Sequence, residues 1–132
     1  MRRRSIFAAG LLVLSGCTAD DPERTEIVHA VEDVLADLNA GDYPHARGRL
    51  CQDHPVDVLR GEFDRYARPW RSEVIGTEYT RRSDGLVNVR LTAADKREQV
   101  YTFDLAYRDG RWQVCRYLRG DYGSVDGGGV SD

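Results

Sequence analysis

The sequence has little lysine, few histidines and no apolar run long enough to cross a bilayer. The apolar stretch near its start, Ile6–Leu14, has nine residues, whereas a transmembrane helix needs about twenty. Lysine occurs only at Lys96, and in the body of the chain the basic residues form no cluster. The histidines, His29, His45 and His54, show no paired metal-ligand spacing. These absences argue against a membrane-spanning protein, a nucleic-acid-binding protein and a zinc site.

The first seventeen residues combine the features of an export signal. Arg2–Arg4 precede the apolar run, and Leu14–Cys17, with the sequence Leu-Ser-Gly-Cys, closes it. This order of positive charge, short apolar core, small residues and cysteine resembles a bacterial lipoprotein signal peptide. The resemblance implies cleavage after residue 16, a diacylglycerol on Cys17 and anchoring at the outer face of the cytoplasmic membrane, because two acyl chains hold a protein stably in a bilayer. Export by the Sec or by the twin-arginine route is left open.

The two remaining cysteines predict a disulfide. Removal of residues 1–16 leaves a chain that fits one domain with a single core, in which 16 basic residues stand against 22 acidic ones. Once Cys17 is lipidated, Cys51 and Cys115 form an even pair in an oxidising compartment. The loop between them would contribute about 4 kcal/mol through lost unfolded-state entropy. A zinc site or a catalytic thiol would need partners that the sequence does not show.

Helical patterns occupy the first half of the expected domain. Residues 17–24 are predicted to be a lipidated polar tether, within which Asp21 can cap a helix and Pro22 suits its first turn. This helix is expected to end at Gly41. Its apolar positions fall on one stripe and are Ile27, Val31, Val34, Leu35 and Leu38.

Two shorter helices are predicted to follow. One starts at Asp42-Tyr43-Pro44, ends near Cys51 and forms a hairpin with the first helix. The other runs from about Val56 to Ala67, with Leu59, Phe63 and Tyr66 on its apolar face. Its other residues are of mixed charge and are interpreted as a solvated face; they are Arg60, Glu62, Asp64, Arg65 and Arg68.

After Trp70 the pattern alternates with the period of a strand. The predicted strands, expected to be antiparallel, are Glu73–Arg82, Leu86–Ala93, Gln99–Arg108 and Arg111–Leu118. Asp84-Gly85 and Asp109-Gly110 lie between strands and are strong hairpin signals, because both central turn positions often need positive φ. Residues 94–97 form the third connection. Residues 119–132 are glycine-rich and are predicted to be a disordered tail.

This order of elements predicts an α+β domain in which three N-terminal helices pack on a curved four-stranded antiparallel sheet. Together with the Leu38–Tyr43 segment and the closing segment Asp109–Cys115, it resembles the nuclear transport factor 2-like superfamily, in particular small exported lipoproteins of actinobacteria. The resemblance covers residues 25–118 and implies a cone-shaped fold. It implies less about function, because the superfamily includes enzymes, carriers, dimerisation modules and accessory domains.

An enzyme would need reactive groups inside the cone, as in the superfamily relatives ketosteroid isomerase and scytalone dehydratase. The candidates are Asp104, Tyr43, Tyr66, Tyr101, His45 and His54. A buried acid would have a raised pKa suited to proton transfer, but alternation places Asp104 on the less apolar face of its strand. No motif of the catalytic relatives matches. We therefore predict no catalytic residue, cofactor or metal, and keep a small isomerase or dehydratase as the alternative.

The facing of the last strand leaves three alternatives. If Cys115 faces the helices, alternation turns Trp112 and Val114 outward. Cys51 can instead reach around the sheet edge, or the strand can contain a bulge. In the remaining alternative the outer face is apolar, and Trp112 and Val114 form a partner-binding surface. If the outer face is not a partner-binding surface, Trp112 and Phe103 are expected to be core residues.

The leading hypothesis is a non-catalytic, membrane-anchored lipoprotein of the cell envelope. Its domain would bind a small apolar ligand or an envelope protein partner, with a homodimer as one possibility, and would not bind nucleic acid. The ligand version needs a cavity lined by Leu59, Phe63, Tyr66, Tyr101 and Phe103. Tight packing of these side chains would rule out that version.

Overall fold

The computed structural model describes residues 21–52 and 54–120, which form an α+β arrangement with helices before a single sheet. The helices are α1 Pro22–Asn39, α2 Tyr43–Arg47 and α3 Val56–Phe63, and the strands are β1 Arg71–Thr80, β2 Asp84–Thr92, β3 Glu98–Arg108 and β4 Arg111–Arg119. The strands are antiparallel neighbours in the order β1-β2-β3-β4. The predicted antiparallel meander is therefore confirmed.

Some of the predicted features lie outside the described residues. They are the signal peptide of residues 1–16, the lipidation site Cys17 and the part of the tail that comprises residues 121–132. Within the described residues, no helix has the length and apolar character that a bilayer crossing requires.

Side-chain caps start the first two helices where the sequence predicts them. The Asp21 carboxylate accepts a hydrogen bond from the backbone N–H of Glu23 at 3.0 Å. The Asp42 carboxylate does the same for the backbone N–H of His45 at 3.2 Å. Between the two helices Gly41 has φ of 76°, a conformation that costs glycine little. Local hydrogen bonding therefore fixes these boundaries.

Helix α2 ends earlier than predicted because the next residues pair with the sheet. Leu50 forms a parallel bridge with Val114, and the N–H of Cys51 donates to the Val114 carbonyl at 2.9 Å. The sulfur atoms of Cys51 and Cys115 are bonded, so the predicted disulfide is confirmed. It joins the segment after α2 to β4 across a separation of 64 residues.

One of the two predicted Asp-Gly turns is present. Asp109 and Gly110 have φ of 56° and 78° and connect β3 to β4. The prediction for Asp84-Gly85 is wrong, because residues 81–83 make the β1–β2 turn and Gly85 lies inside β2. A Cβ at Gly85 would lie 3.2 Å from Tyr79 Cβ and 3.4 Å from Ile27 Cδ1. Glycine there allows α1 to approach the sheet closely.

The core lies between the helices and one face of the sheet, which we call the inner face. The predicted stripe of α1 is buried throughout, from Ile27 to Leu38. Opposite it are the buried sheet residues Val87, Val89, Leu91, Tyr101, Phe103, Leu105, Trp112 and Val114. Complete burial of such a side chain contributes about 1.5–3 kcal/mol, so this layer is the main source of stability.

A β-bulge at Cys115 resolves the facing of β4. Asp104 pairs with Arg116, whereas the next residue of β3, Leu105, pairs with Val114, so Cys115 is the extra residue. Trp112 and Val114 consequently face the helices and are 7% and 0% exposed. This placement corrects the alternative in which they form an exposed partner-binding stripe, because both belong to the core.

The described helices and strands extend slightly beyond residues 25–118. Helix α1 begins at Pro22, and β4 continues to Arg119. Gly120 is also held in place, since its N–H donates to the Val100 carbonyl at 2.7 Å and its carbonyl accepts from the Thr102 hydroxyl at 2.6 Å.

Candidate functional site

The five residues predicted to line a ligand cavity lie together inside the domain. Leu59, Phe63, Tyr101 and Phe103 are at most 1% exposed, and Tyr66 is 8% exposed. The ring centroid of Phe63 lies 4.8 Å from that of Tyr101, 6.2 Å from that of Phe103 and 6.5 Å from that of Tyr66. These separations are those of aromatic rings in contact. The side chains occupy the space that a ligand among them would need.

A buried carboxylate lies at the edge of this aromatic cluster. Glu62 of α3 is 7% exposed, which corrects its assignment to a solvated helix face. Its carboxylate accepts hydrogen bonds from the Tyr101 hydroxyl at 2.5 Å and from Nε and Nη2 of Arg119 at 2.8 and 3.1 Å. Arg65 adds a longer contact of 3.4 Å. Both carboxylate oxygens are therefore occupied by donors.

The tyrosines extend this network into the aromatic cluster. The hydroxyl oxygens of Tyr101 and Tyr66 are 2.8 Å apart. A hydroxyl has one proton to donate, so if Tyr101 donates to Glu62, the hydrogen bond between the tyrosines takes its proton from Tyr66. Glu62, Tyr101, Tyr66 and Arg119 are called the Glu62 network below.

The network keeps Glu62, Tyr101 and Arg119 in their ordinary protonation states. Burial on its own would raise the pKa of Glu62, but the hydrogen bonds from Arg119 and Tyr101 outweigh it and hold that pKa below its usual value. Burial and the hydrogen bond to Glu62 raise the pKa of Tyr101 above its usual range. The hydrogen bonds to Glu62 raise the pKa of Arg119. At neutral pH the site therefore holds a carboxylate, a phenol and a guanidinium.

Residue spacing along α3 and the pairing of β3 with β4 bring the Glu62 network together. Glu62 follows Leu59 by three residues, so it shares the face of Leu59 on α3, and it precedes Tyr66, which follows the helix, by four residues. This spacing was the sequence signal that could have identified Glu62. Arg119 pairs with Tyr101 across β3 and β4, and it faces inward only because of the bulge at Cys115. Its position could not be read from alternation alone.

The other enzyme candidates lie apart from this network. Asp104 is on the outer face, where Arg116 binds it at 3.1 and 2.5 Å, so its predicted facing is correct. The Tyr43 hydroxyl donates to Asp64 at 3.0 Å. The rings of His54 and Tyr117 are tilted by 47°, with centroids 6.3 Å apart. In the described part of the chain, Asp104 and Tyr43 thus have carboxylate or guanidinium partners other than the Glu62 network.

His45 belongs to a small acidic group on the surface. Its Nδ1 lies 3.2 Å from Asp37 and 3.8 Å from Asp42, and ligand atoms of the three residues lie within 4.8 Å of one another. Arg49 also binds Asp37, at 2.8 Å. A guanidinium already neutralises the most buried carboxylate of the group, which weakens its attraction for a cation.

An open groove lies on another part of the surface. It has a volume of about 600 Å³ and is lined by Arg24, Glu78, Tyr79, Thr80, Asp84, Gly85, Leu86 and Asp104. None of the five predicted ligand residues borders it. The groove is open to solvent, in contrast to the enclosed sites that bury most of a small apolar ligand.

Comparison of the chain with protein-family models and with curated proteins gives no match. The interpretation of its function therefore depends on the chemistry of its own residues.

Proposed function

We propose that this protein is an exported lipoprotein of the cell envelope that binds another envelope protein and catalyses no reaction. A diacylglycerol on Cys17 anchors it to the outer face of the cytoplasmic membrane, and its three helices and sheet form a nuclear transport factor 2-like domain. The observation that carries the proposal is the filled interior around Phe63. A domain whose interior is occupied by its own rings binds through its surface.

The disulfide supports the proposed location. Cys51 and Cys115 are bonded in the structure, and disulfides persist mainly in oxidising compartments outside the cytoplasm. The signal-like segment ending at Cys17 implies the same side of the membrane. Two independent features of the chain thus agree with export.

The Glu62 network supports the absence of catalysis. A general base must have a free lone pair within reach of the proton that it removes. Both oxygens of Glu62 instead accept bonds from Tyr101 and Arg119, and its pKa is lowered rather than raised toward neutrality. The network therefore has the properties of a structural contact between α3 and β4.

The outer face of the sheet is the best surface for a protein partner. The described helices pack on the inner face, and aliphatic side chains on the outer face remain partly exposed; they are Leu86, Val100 and Leu118. Ion pairs flank them, with Arg90 bound to Glu73 at 2.9 Å and Arg116 bound to Asp104. A mixture of apolar and polar side chains is typical of non-obligate protein interfaces.

The anchor is tested by labelling cells with a clickable palmitate analogue. We expect label and membrane fractionation for the wild-type protein, and loss of both for Cys17→Ser. Cys51→Ser serves as the control and should retain the label, because its thiol is not the acceptor. Labelling of the Cys17→Ser variant would contradict the proposed lipidation site.

The choice between a protein partner and a small ligand is tested by native mass spectrometry. The mature protein is purified from its host membrane without reducing agent. We expect the mass of a monomer or a dimer without an added small molecule. An additional small mass that is lost on denaturation would overturn the protein-binding proposal in favour of an apolar ligand.

The proposed partner surface is tested by crosslinking in the host membrane. We expect Leu118→Arg to abolish the crosslinked species that the wild-type protein forms, because it replaces a partly exposed aliphatic side chain on the outer face of β4 with a charge. Val58→Arg is the matched control, since Val58 is 46% exposed on α3 and Leu118 is 37% exposed on β4. An equal effect of both substitutions, or no effect of Leu118→Arg, would exclude the outer face.

A further inference from the structure

The two edge strands of the sheet differ in how the rest of the chain covers them. At the β4 edge, the N–H of Cys51 donates to the Val114 carbonyl, and the N–H of Val114 donates to the Arg49 carbonyl. Strand β1 forms the other edge and pairs only with β2. In residues 21–52 and 54–120, no backbone hydrogen bond joins β1 to any segment other than β2 and the turn that follows β1. The fold therefore covers one edge and leaves the other open.

Alternation along β1 identifies the backbone groups on its open side. The Thr80 carbonyl accepts a hydrogen bond from the Ser83 N–H in the turn that leads to β2, so the backbone of Thr80 points toward β2. Successive residues of a strand direct their N–H and C=O groups to opposite sides. Thr77 and Tyr79 therefore direct theirs to the open side, where in the described part of the chain these groups have no hydrogen-bond partner. Such groups are a template for an added strand.

A β-bulge limits the part of this edge that a strand can use. The register between β1 and β2 shifts between Val74 and Gly76, so Ile75 is the extra residue. Bulges twist an edge strand and protect it against unwanted strand addition. Beyond the bulge, Gly76–Thr80 keep a regular register with β2. We call Gly76–Thr80 the open edge segment.

The open edge segment borders the surface groove of about 600 Å³. It contributes Glu78, Tyr79 and Thr80 to the groove lining, and Leu86 of β2 belongs to the same lining. When an extended peptide pairs with a sheet edge, main-chain hydrogen bonds provide affinity and pockets for alternate side chains provide specificity. An open edge beside a groove supplies both requirements.

The charges of the groove favour a basic side chain. In the described part of the chain, the exposed carboxylates of Glu78 and Asp84 form no ion pair. The third carboxylate of the lining, Asp104, is bound by Arg116. Arg24 also lines the groove, and it donates a hydrogen bond to a side chain of β1. Two guanidinium groups against three carboxylates leave one net negative charge, so the groove attracts a lysine or an arginine of a partner.

The arginines of the adjacent turn are engaged outside the groove lining. Arg81 lies 3.7 Å from Glu23 and 3.8 Å from Asp21, at the start of α1. The guanidinium carbon of Arg82 lies 5.6 Å from the centroid of the Tyr107 ring. Neither arginine belongs to the groove lining, which therefore keeps its negative excess.

A second copy of the chain fits this edge poorly. Antiparallel pairing of β1 with its own copy over the whole strand would place Glu73 of each copy opposite Glu78 of the other. Like charges directly opposite each other destabilise a strand pair. The two bulges at Ile75 would also meet near the centre of such a pair. A partner strand with a basic residue avoids this conflict.

We propose that the open edge segment binds an extended segment of an envelope protein partner, which adds a further strand to the sheet and places a lysine or an arginine beside Glu78 and Asp84. This inference rests on the proposed protein-binding function and adds the mode of binding. The backbone groups of Thr77 and Tyr79 form the new hydrogen bonds.

The test is photocrosslinking in the host membrane, with benzoylphenylalanine in place of the exposed Thr80 of the full chain. We expect a crosslink to an extended partner segment that contains a lysine or an arginine, with the attachment site mapped by mass spectrometry. Thr77→Pro should lower the crosslink yield at least about fivefold, because it removes one interstrand hydrogen bond, which contributes about that factor. Proline is tolerated in an edge strand where the N–H faces away from the neighbouring strand.

Two controls isolate the effect of the Thr77 N–H. Thr77→Val removes the same hydroxyl contact with Arg24 but keeps the N–H. Ser72→Pro makes the same substitution in β1 before the bulge. We expect each control to change the yield less than about twofold, as for most surface substitutions. Equal losses from Thr77→Pro and Ser72→Pro would overturn the proposal.

A charge reversal tests the same segment without a change of the backbone. Glu78→Lys leaves the hydrogen bonds of β1 in place, so it replaces Thr77→Pro if urea unfolding shows that the proline variant is destabilised. We expect Glu78→Lys to lower the yield at least about threefold, since an exposed ion pair contributes about two- to fivefold and a like charge opposes binding. Glu73→Lys, on the other side of the bulge, is the matched control. A higher yield for Glu78→Lys would refute the basic partner residue.

The outcomes separate strand addition from the proposed function. If Leu118→Arg abolishes crosslinking while Thr77→Pro and Glu78→Lys have no effect, strand addition is wrong and protein binding stands. An attachment site in a second copy, or in residues 121–132 of the same chain, would identify another occupant and overturn the proposal. Absence of any crosslinked species from the wild-type protein would refute the proposed function, and this inference with it.

Discussion

Replacement of Glu62 by glutamine tests the central contact between α3 and β4. The substitution keeps the size of the side chain but removes its charge. The amide oxygen can still accept from Tyr101 and from one nitrogen of Arg119, whereas the amide nitrogen meets the second guanidinium N–H as another donor. About one charge-assisted hydrogen bond is lost, which is worth about 1.5–3 kcal/mol. Arg119 is 45% exposed and can turn to water, so we expect a loss of about 2 kcal/mol at pH 7.

The loss of stability caused by Glu62→Gln should depend on pH. Because the pKa of Glu62 is lower in the folded protein than in the unfolded chain, the ionised carboxylate stabilises the fold above the unfolded pKa of about 4.3. This stabilisation is lost as the pH falls through the folded pKa. The glutamine variant has no such transition at this position. The difference in unfolding free energy between wild type and variant should therefore begin to shrink as the pH falls to the unfolded pKa of about 4.3, and should continue to shrink as the pH falls through the folded pKa.

Urea unfolding with the disulfide intact measures this difference, with tryptophan fluorescence as the signal, since Trp70 and Trp112 are buried. Glu73→Gln is the control, because Glu73 is 67% exposed in its pair with Arg90 and should cost at most about 0.5 kcal/mol. Equal costs for the two substitutions at pH 7 would refute the assignment of Glu62 as a buried ion-pair residue. A cost for Glu62→Gln that is the same at pH 7 and pH 3 would refute the electrostatic part of the reasoning.

Further predictions concern stability. Replacing Cys51 and Cys115 by serine should lower the unfolding free energy by about 4 kcal/mol, because their bond closes a loop of 64 residues; an unchanged urea midpoint would contradict this. Gly85→Ala should cost about 1–3 kcal/mol through overpacking against Tyr79 and the Glu78 carbonyl of β1 and against Ile27 of α1. Gly61→Ala, with no atom within 4 Å, should instead stabilise α3 by about 0.5–1 kcal/mol. Thermal denaturation measures both changes, and changes of the same sign would refute the packing argument. Trp112→Ala should cost about 3–5 kcal/mol, and a cost below about 1 kcal/mol would be inconsistent with a core position.

Several sequence predictions are correct because they depend on neighbours along the chain. The Asp21 carboxylate caps the helix that follows it, and the Asp109-Gly110 turn has positive φ at both positions. Alternation also places Asp104 on the outer face. Each of these features is decided within a few residues by hydrogen bonding or by backbone sterics.

Other predictions fail where a distant contact overrides a local signal. Asp84-Gly85 has the composition of a hairpin turn, but Gly85 lies inside β2, where it pairs with Tyr79 of β1 and Leu105 of β3. Glu62 belongs by composition to a charged helix face, but Arg119 and Tyr101 bind it in the interior. Neither partner is near in sequence, so composition and periodicity could not identify these contacts.

The sequence by itself determined the helix starts, the α1 stripe, the hairpin at Asp109-Gly110 and the antiparallel α+β order of elements. The tertiary structure alone decided which way β4 faces. The bulge at Cys115 moves Trp112 into the core and turns Arg119 toward Glu62. The physical reason is that strand register is set by pairing with another strand and by the bond to Cys51, both formed between residues far apart in the chain.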